Sequence, residues 1–222
     1  MPLAGRPMVE WSIEAFREAG VGGIVVAVPP GHAYEPAVVE PHGSDPPEAP
    51  LDVRVLAGGE TRSASVSNAL EAVKTDLVAI HDAARPLLRA KLVEGVVATL
   101  ADDPEAAGAI AAAPVADTIK HARTSAPLRV HNTQKGALVV SSTMERSRLW
   151  AAQTPQAFRV EALREAFAGD RKEIAAATDE AMLVEAAGGR VLIHPADAEN
   201  LKVTTPLDLR MAEALLRERT AA

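Results

Sequence analysis

Short apolar runs rich in β-branched residues and alanine alternate along this chain with segments of helical period, and that alternation restricts the fold more than any other feature. Gly23 to Val28 reads Gly-Ile-Val-Val-Ala-Val, a continuous run of the kind found in strands buried on both faces. Asp52 to Ala57, Leu77 to His81, Ala107 to Ala113 and Arg190 to Ile193 are further short strand candidates. Between and around them lie helical segments. Met8, Trp11, Ala15, Phe16 and Ala19 share one face of a helix over Pro7 to Gly20. Other helices are expected from about Ser63 to Val73, Lys91 to Leu100, Val160 to Ala168 and Asp179 to Ala187. A last helix, Pro206 to Arg219, has Thr205 as N-cap, Pro206 in the first turn and Asp208 facing the dipole. Strands alternating with helices predict βαβ units, a mostly parallel sheet and a Rossmann-like three-layer α/β sandwich.

Two stretches break the pattern. Seven of the 22 residues from Pro29 to Pro50 are proline, which marks a surface loop. Residues 114–150 show only short alternating segments, Asp117 to His121, Leu128 to His131 and Ala137 to Val140. That stretch is expected to leave the sheet as a β-arm, and an arm unable to bury a face alone packs on a partner subunit. The expected organisation is one domain over 1–222 with 114–150 as the dimerisation arm.

Composition then removes whole classes of function. There is no cysteine, so disulfide scaffolds, zinc fingers, iron–sulfur sites and cysteine nucleophiles are excluded. A net charge of −7 argues against a dedicated nucleic-acid binder. No apolar run is long enough to span a bilayer and the first residues carry no secretion signal, so no membrane partner and a cytoplasmic address are expected. Aromatic residues make up 3% of the chain, so the core must be packed from Ala, Val, Leu and Ile.

In open parallel sheets, ligands sit beyond the carboxyl ends of the strands. Three polar or glycine-rich segments fall there: 57–63 (Ala-Gly-Gly-Glu-Thr-Arg-Ser), 81–86 (His-Asp-Ala-Ala-Arg-Pro) and 199–204 (Glu-Asn-Leu-Lys-Val-Thr). Together they offer an acid (Asp82), two cations (Arg85 and Lys202) and backbone N–H groups near Gly58 and Gly59. That mixture suits a phosphorylated anion with a metal ion. Each piece also has a plain structural reading. Gly58-Gly59 can be a turn, Ser63 and Ser65 can cap a helix, and Asp82 can cap a turn with Arg85 as its ion-pair partner. Lys202 can be a solvated lysine, and Thr178 can cap the helix that Asp179 and Glu180 begin.

Six segments, in this order, resemble the 2-C-methyl-D-erythritol 4-phosphate cytidylyltransferases of the non-mevalonate isoprenoid pathway. They are 58–66, His-Asp-Ala-Ala-Arg-Pro (81–86), 113–120, 146–158 with its Gln-Thr-Pro-Gln, Ala-Thr-Asp-Glu-Ala (177–181) and Asn-Leu-Lys-Val-Thr (200–204). The resemblance implies a fold of the nucleotide-diphospho-sugar transferase type and a Mg2+-dependent enzyme that joins CTP to a phosphorylated polyol, releasing pyrophosphate. It implies that Gly58, Gly59, Ser65 and Ala84 bind the nucleotide, and that Asp82 stands beside the metal and the sugar hydroxyls. Arg85 falls in the sugar-phosphate pocket. Thr118 and Arg146 are arm residues that reach the partner's site. Thr154, Thr178 and Lys202 lie around the attacking phosphate and the α-phosphate; Lys202, Arg146 and Asp82 form the expected catalytic set. The family also opens with a strand and a loop of the form Ala-Ala-Gly-x-Gly-x-Arg followed by a Pro-Lys pair, whereas Pro2 to Met8 matches the segment just downstream. The expectation is that the protein starts earlier than Met1; a fragment, or a degenerate dimerising homologue, are the other readings. Without that first strand its neighbours should be left unpaired. The arm is longer than usual between Thr118 and Arg146. Two further functional readings stay open at this level: a cytidylyltransferase for another polyol phosphate such as ribitol 5-phosphate, and a non-catalytic dimerisation module.

Overall fold

The computed structural model describes residues 2–36, 51–124 and 138–221. A small hairpin, β1 (Pro2–Leu3) and β2 (Arg6–Pro7), precedes α1 (Met8–Glu18). Then come β3 (Gly23–Val28), β4 (Asp52–Ala57), α2 (Arg62–Leu70), β5 (Leu77–Ile80), α3 (Ala90–Ala101) and β6 (Gly108–Pro114). The arm contributes β7 (Lys120–Thr124) and β8 (Leu138–Thr143), and a 3-10 turn at Arg146–Arg148 leads into β9 (Trp150–Arg159). The chain ends with α4 (Val160–Phe167), α5 (Arg171–Ala176), α6 (Glu180–Ala186), β10 (Val191–Pro195) and α7 (Pro206–Ala221). Among the described residues, no helix is long and apolar enough to cross a membrane.

The main sheet has the order β10-β6-β9-β5. β10 and β6 are parallel, and both β6 and β5 pair antiparallel with β9, so every strand except β9 runs the same way. β3 and β4 form a separate parallel pair. Among the described residues, β3 hydrogen-bonds only to β4 and β5 only to β9, so the pair is not joined to the main sheet. Among these residues β3 and β5 each lack a strand neighbour on one side, as expected for strands left unpaired, whereas β3, expected to be buried on both faces, is partly exposed along its length.

Period-two alternation divides the core cleanly. Ala109 and Ala111 of β6 and Ala157 of β9 face α3, whose Val96 and Leu100 are fully buried against them. Their neighbours Ile110 and Phe158 point the other way, into a cluster with Leu163 of α4, Leu183 and Val184 of α6 and Leu70 of α2. Helices cover both faces, as the three-layer reading requires. Alanine lets α3 approach the sheet closely, so a core with few aromatic side chains is still dense. Leu3, Met8, Leu87, Val203, Ala212 and Leu216 form a third cluster that ties the N-terminal hairpin to α7.

The sequence reading missed β9, a central strand. Pro155 lies inside it, and proline in a run normally argues against a central strand. The register explains its tolerance: Ile110 pairs with Gln156 but Ala112 pairs with Ala152, so Gln153 to Pro155 bulge out of the β6 ladder. The β5 ladder stops at Gln156, so Pro155 has no ladder bond to supply on that side either. The β1–β2 hairpin and α5 were also missed. In the arm, strands do form an antiparallel hairpin, shifted from the expected positions to Lys120–Thr124 and Leu138–Thr143. The Leu128 to His131 segment, like most of the proline-rich loop, lies outside the described residues.

Candidate active site

The end of β4 runs into Gly58-Gly59, and Gly58 N–H donates to the Val28 carbonyl at 2.7 Å. The two glycines are required by close approach to α2. A Cβ on Gly58 would stand 2.6 Å from Ser65 Oγ, and one on Gly59 would stand 2.4 Å from the Ala64 Cβ. Ser65 Oγ accepts from Gly59 N–H at 3.0 Å and donates to the Thr61 carbonyl at 2.9 Å. Thr61, and neither Ser63 nor Ser65, is the N-cap of α2, accepting from Ala64 N–H at 3.1 Å.

The end of β5 runs into His81-Asp82. Arg85 N–H donates to the Asp82 carbonyl at 2.8 Å, closing a turn, and Val203 N–H donates to the Ala84 carbonyl at 2.7 Å, strapping that turn to the 199–204 segment. Beneath it, His81 Nε2 lies 3.1 Å from the Arg85 carbonyl and Nδ1 lies 3.0 Å from Thr154 Oγ1. A carbonyl only accepts, so Nε2 carries the proton and Nδ1 accepts from the Thr154 hydroxyl. Thr154 Oγ1 accepts in turn from Asp82 N–H at 3.0 Å. The bulge in β9 thus places Thr154 under Asp82, where its hydroxyl is committed to holding the turn.

Burial pushes the His81 imidazole down to about 4, against the pull of its hydrogen bonds and of Asp82. As pH falls below 6.5 the unfolded chain takes up a proton that the folded one refuses, so folding stability drops until the folded value is reached. Stability is expected to fall by at most about 3 kcal/mol from this group between pH 6.5 and 4. Comparing denaturant unfolding of the parent and His81→Gln across that window isolates the effect. The gap between them should change with pH, and parallel curves would show that His81 is not held neutral.

Around Asp82 lies a chain of charges. Arg62 Nε donates to Asp82 Oδ1 at 3.0 Å and Lys202 Nζ donates to Oδ2 at 2.8 Å. Arg62 Nη1 is also 2.7 Å from each carboxylate oxygen of Glu180, whose side chain is fully buried. Burial raises the Asp82 carboxyl, but the Lys202 hydrogen bond and the Arg62 charge overcome it and leave it below its usual range. Burial lowers the Arg62 guanidinium, yet Glu180 and Asp82 raise it further, so it is firmly cationic. Arg85, which the plain structural reading paired with Asp82, instead donates from Nη1 to the Asn200 carbonyl at 2.7 Å. Asn200 is buried and donates to Gln153 Oε1 and the Thr154 carbonyl, both at 2.8 Å, which fixes the segment leading to Lys202.

The structure therefore brings together Asp82, Lys202, Arg85, Ala84 and Thr154, with Gly58, Gly59 and Ser65 joined through Arg62 of α2. Thr178 is exposed, and the cap of α6 is Asp179, which accepts from Met182 N–H and from Gln156 Nε2, both at 3.0 Å. Thr118 and Arg146 stand apart at the base of the arm, where Arg146 Nη1 donates to the Ala116 carbonyl at 2.7 Å. Among the described residues, neither touches the Asp82 group. Arg62 and Glu180 were not among the expected site residues, although a signal existed. Glu180 falls on the same helical face as the apolar Leu183 and Val184, and a carboxylate on a buried stripe needs a cation.

A three-layer α/β sandwich that gathers a carboxylate, three cations and a glycine pair beyond its strand ends has the chemistry that suits phosphorylated ligands. The chain belongs to the 2-C-methyl-D-erythritol 4-phosphate cytidylyltransferase family, whose model matches residues 1–218. The cytidylyltransferase of that name from Acidobacterium capsulatum is 37% identical over all of this chain and 87% of its own length. The one from Ralstonia nicotianae is 38% identical over 97% of this chain and 82% of its own. The crystal structure of the Thermus thermophilus enzyme superposes with a TM-score of 0.72 at 35% identity, covering 97% of this chain and 91% of that one.

Proposed function

We propose that this protein joins 2-C-methyl-D-erythritol 4-phosphate to CTP, giving CDP-methylerythritol and pyrophosphate. The observation that carries the reading is the Arg62–Asp82–Lys202 array at the ends of β4 and β5, within a chain that belongs to this enzyme family. In the reaction an oxygen of the phosphate monoester forms a bond to the α-phosphorus, and the bond from that phosphorus to the β-phosphate oxygen breaks. Both reactants are anions, so catalysis is mainly positioning and charge neutralisation. The monoester already carries negative charge at neutral pH, and no general base is required.

The residues take these roles in the proposal. Gly58, Gly59, Ser65 and Ala84 shape the nucleotide side, with Ser65 holding the glycine pair in place. Lys202 leaves Asp82 to neutralise phosphate oxygens, and Arg85 serves the sugar phosphate. Thr154 positions Asp82, and the exposed Thr178 lies beyond the start of α6 toward the phosphates. The donor set fits Mg2+: Asp82 supplies hard carboxylate oxygen, and the triphosphate supplies the remaining donors, as is usual where a protein offers a single carboxylate. Among the described residues there is no group of three or more acidic, histidine or cysteine side chains that could form a closed metal cage. Asp82 would hold Mg2+ there, and the bound ion would offset charge on the phosphate oxygens.

The 114–150 arm serves homodimerisation in this proposal, with Arg146 and Thr118 completing the partner's site. What supports it is the apolar surface that the arm exposes: Leu138 is 77% and Val140 58% accessible, with Ile119 and Trp150 also exposed. A cytoplasmic address goes with the reading, because both substrates are multiply charged and do not cross a bilayer unaided. The test is pyrophosphate release with CTP and Mg2+, offering methylerythritol phosphate and ribitol 5-phosphate in competition. Preferential consumption of methylerythritol phosphate is expected. Preference for ribitol phosphate would move the assignment to that substrate, and no CTP binding by calorimetry would leave only a dimerising module.

A further inference from the structure

Glu180 is a carboxylate with no solvent exposure, and its side chain therefore cannot touch a ligand. It is the first residue of α6, a helix anchored through its cap Asp179 to Gln156 of β9. Both of its oxygens close on one nitrogen of Arg62, Nη1. Arg62 then gives Asp82 a single N–H, from Nε to Oδ1, and Oδ2 stays available to Lys202. An arginine beside a carboxylate ordinarily engages it with two parallel N–H groups, covering both oxygens. A guanidinium released from Glu180 can turn that two-pronged edge onto Asp82 and displace Lys202.

A buried ion pair is by itself weak evidence of a gain in stability. Removing both members of a buried ion pair in favour of apolar side chains of similar volume is often neutral or stabilising, whereas removing one member leaves an uncompensated charge. We propose that Glu180 is a positioning residue for the transfer reaction. It fixes the Arg62 guanidinium so that Arg62 holds only Oδ1 of Asp82, presenting Oδ2 to Lys202 and to the ligand. The inference rests on the cytidylyltransferase reading above and adds to it a residue outside the ligand's reach.

The test compares the parent protein, Glu180→Gln and the double variant Arg62→Met/Glu180→Met, each checked for folding by circular dichroism at the assay temperature. Glu180→Gln keeps the shape but loses the charge that pins Arg62. It is expected to lower kcat by about 10- to 100-fold while KM for CTP moves far less, the usual size of effect for a residue that orients a ligand-contacting group. The double variant is expected to fold with a thermal midpoint near the parent's and to lose at least as much in kcat. The same proteins are followed by 13C NMR after reductive methylation, where the Lys202 signal reads the Asp82 contact without turnover and is expected to shift in both variants. A folded double variant with parental kcat and an unmoved Lys202 signal overturns the proposal, and so does one that fails to fold, since the pair would then be held for stability. A parent without cytidylyl transfer instead counts against the function, and the Lys202 signal still decides the positioning claim.

Discussion

Lys202→Met is expected to lower kcat/KM for cytidylyl transfer by about 100- to 1,000-fold, the size of effect seen when a preorganised group that stabilises transition-state charge is removed. The reason lies in how the cations differ. Arg62 is pinned between Glu180 and Asp82, and Arg85 is tied to the Asn200 carbonyl. Lys202 holds Asp82 by one contact and its side chain is 43% exposed, so it can move to an arriving phosphate at little cost. Methionine keeps the length of the side chain and removes the charge. The exposed end of the pair contributes about 0–1 kcal/mol to stability, so the thermal midpoint should barely change. Steady-state kinetics beside a thermal melt separates the two effects. A loss of less than about tenfold would reduce Lys202 to a surface ion-pair partner of Asp82.

The second large effect concerns the arm. Arg146→Ala should lower activity by a similar factor, because in the proposed role it removes a cation that serves a substrate phosphate. Where it acts is open to a mixing experiment. In a dimer of one Arg146→Ala subunit and one Lys202→Met subunit, action across the interface leaves one site with both residues intact. Action within a subunit leaves none. Equal co-expression makes about half of the dimers mixed, so about a quarter of parental activity should return if Arg146 works on the partner's site. Two nearly inactive variants that stay inactive when mixed would place Arg146 in its own subunit's site. The exposed Leu138 and Val140 of β8 give this mixing a surface through which to occur.

Much of this was readable from the chain alone because local rules and the tertiary structure agree. α1, α3, α4 and α7 lie within a few residues of the positions that helical period predicts, and the Thr205–Asp208 start of α7 is a reciprocal cap: Asp208 accepts from Thr205 N–H at 2.7 Å while Thr205 Oγ1 accepts from Asp208 N–H at 3.2 Å. β9 was not readable, since whether Pro155 breaks a strand depends on whether it falls in a bulge, and the bulge over Gln153 to Pro155 exists only in the register of β9 against β6. Thr178 was read as a cap because Thr and Asp are both good N-caps. Asp179 takes the role because Gln156 of a distant strand holds its second oxygen.

The sequence by itself determined the alternation of strands and helices apart from β1, β2, β9 and α5, the three polar segments at strand ends, the absence of cysteine chemistry and the family resemblance. All of these are carried by residue types and short spacings. Only the tertiary structure decided which charge meets which. Glu180 reaches Arg62 across 118 positions and Lys202 reaches Asp82 across 120, while Arg85, three residues from Asp82, turns away to Asn200. A carboxylate offers the same chemistry wherever it falls in the chain. Its partner is set by which helix ends the packed core brings within hydrogen-bond distance, and its strength by how completely that core excludes water.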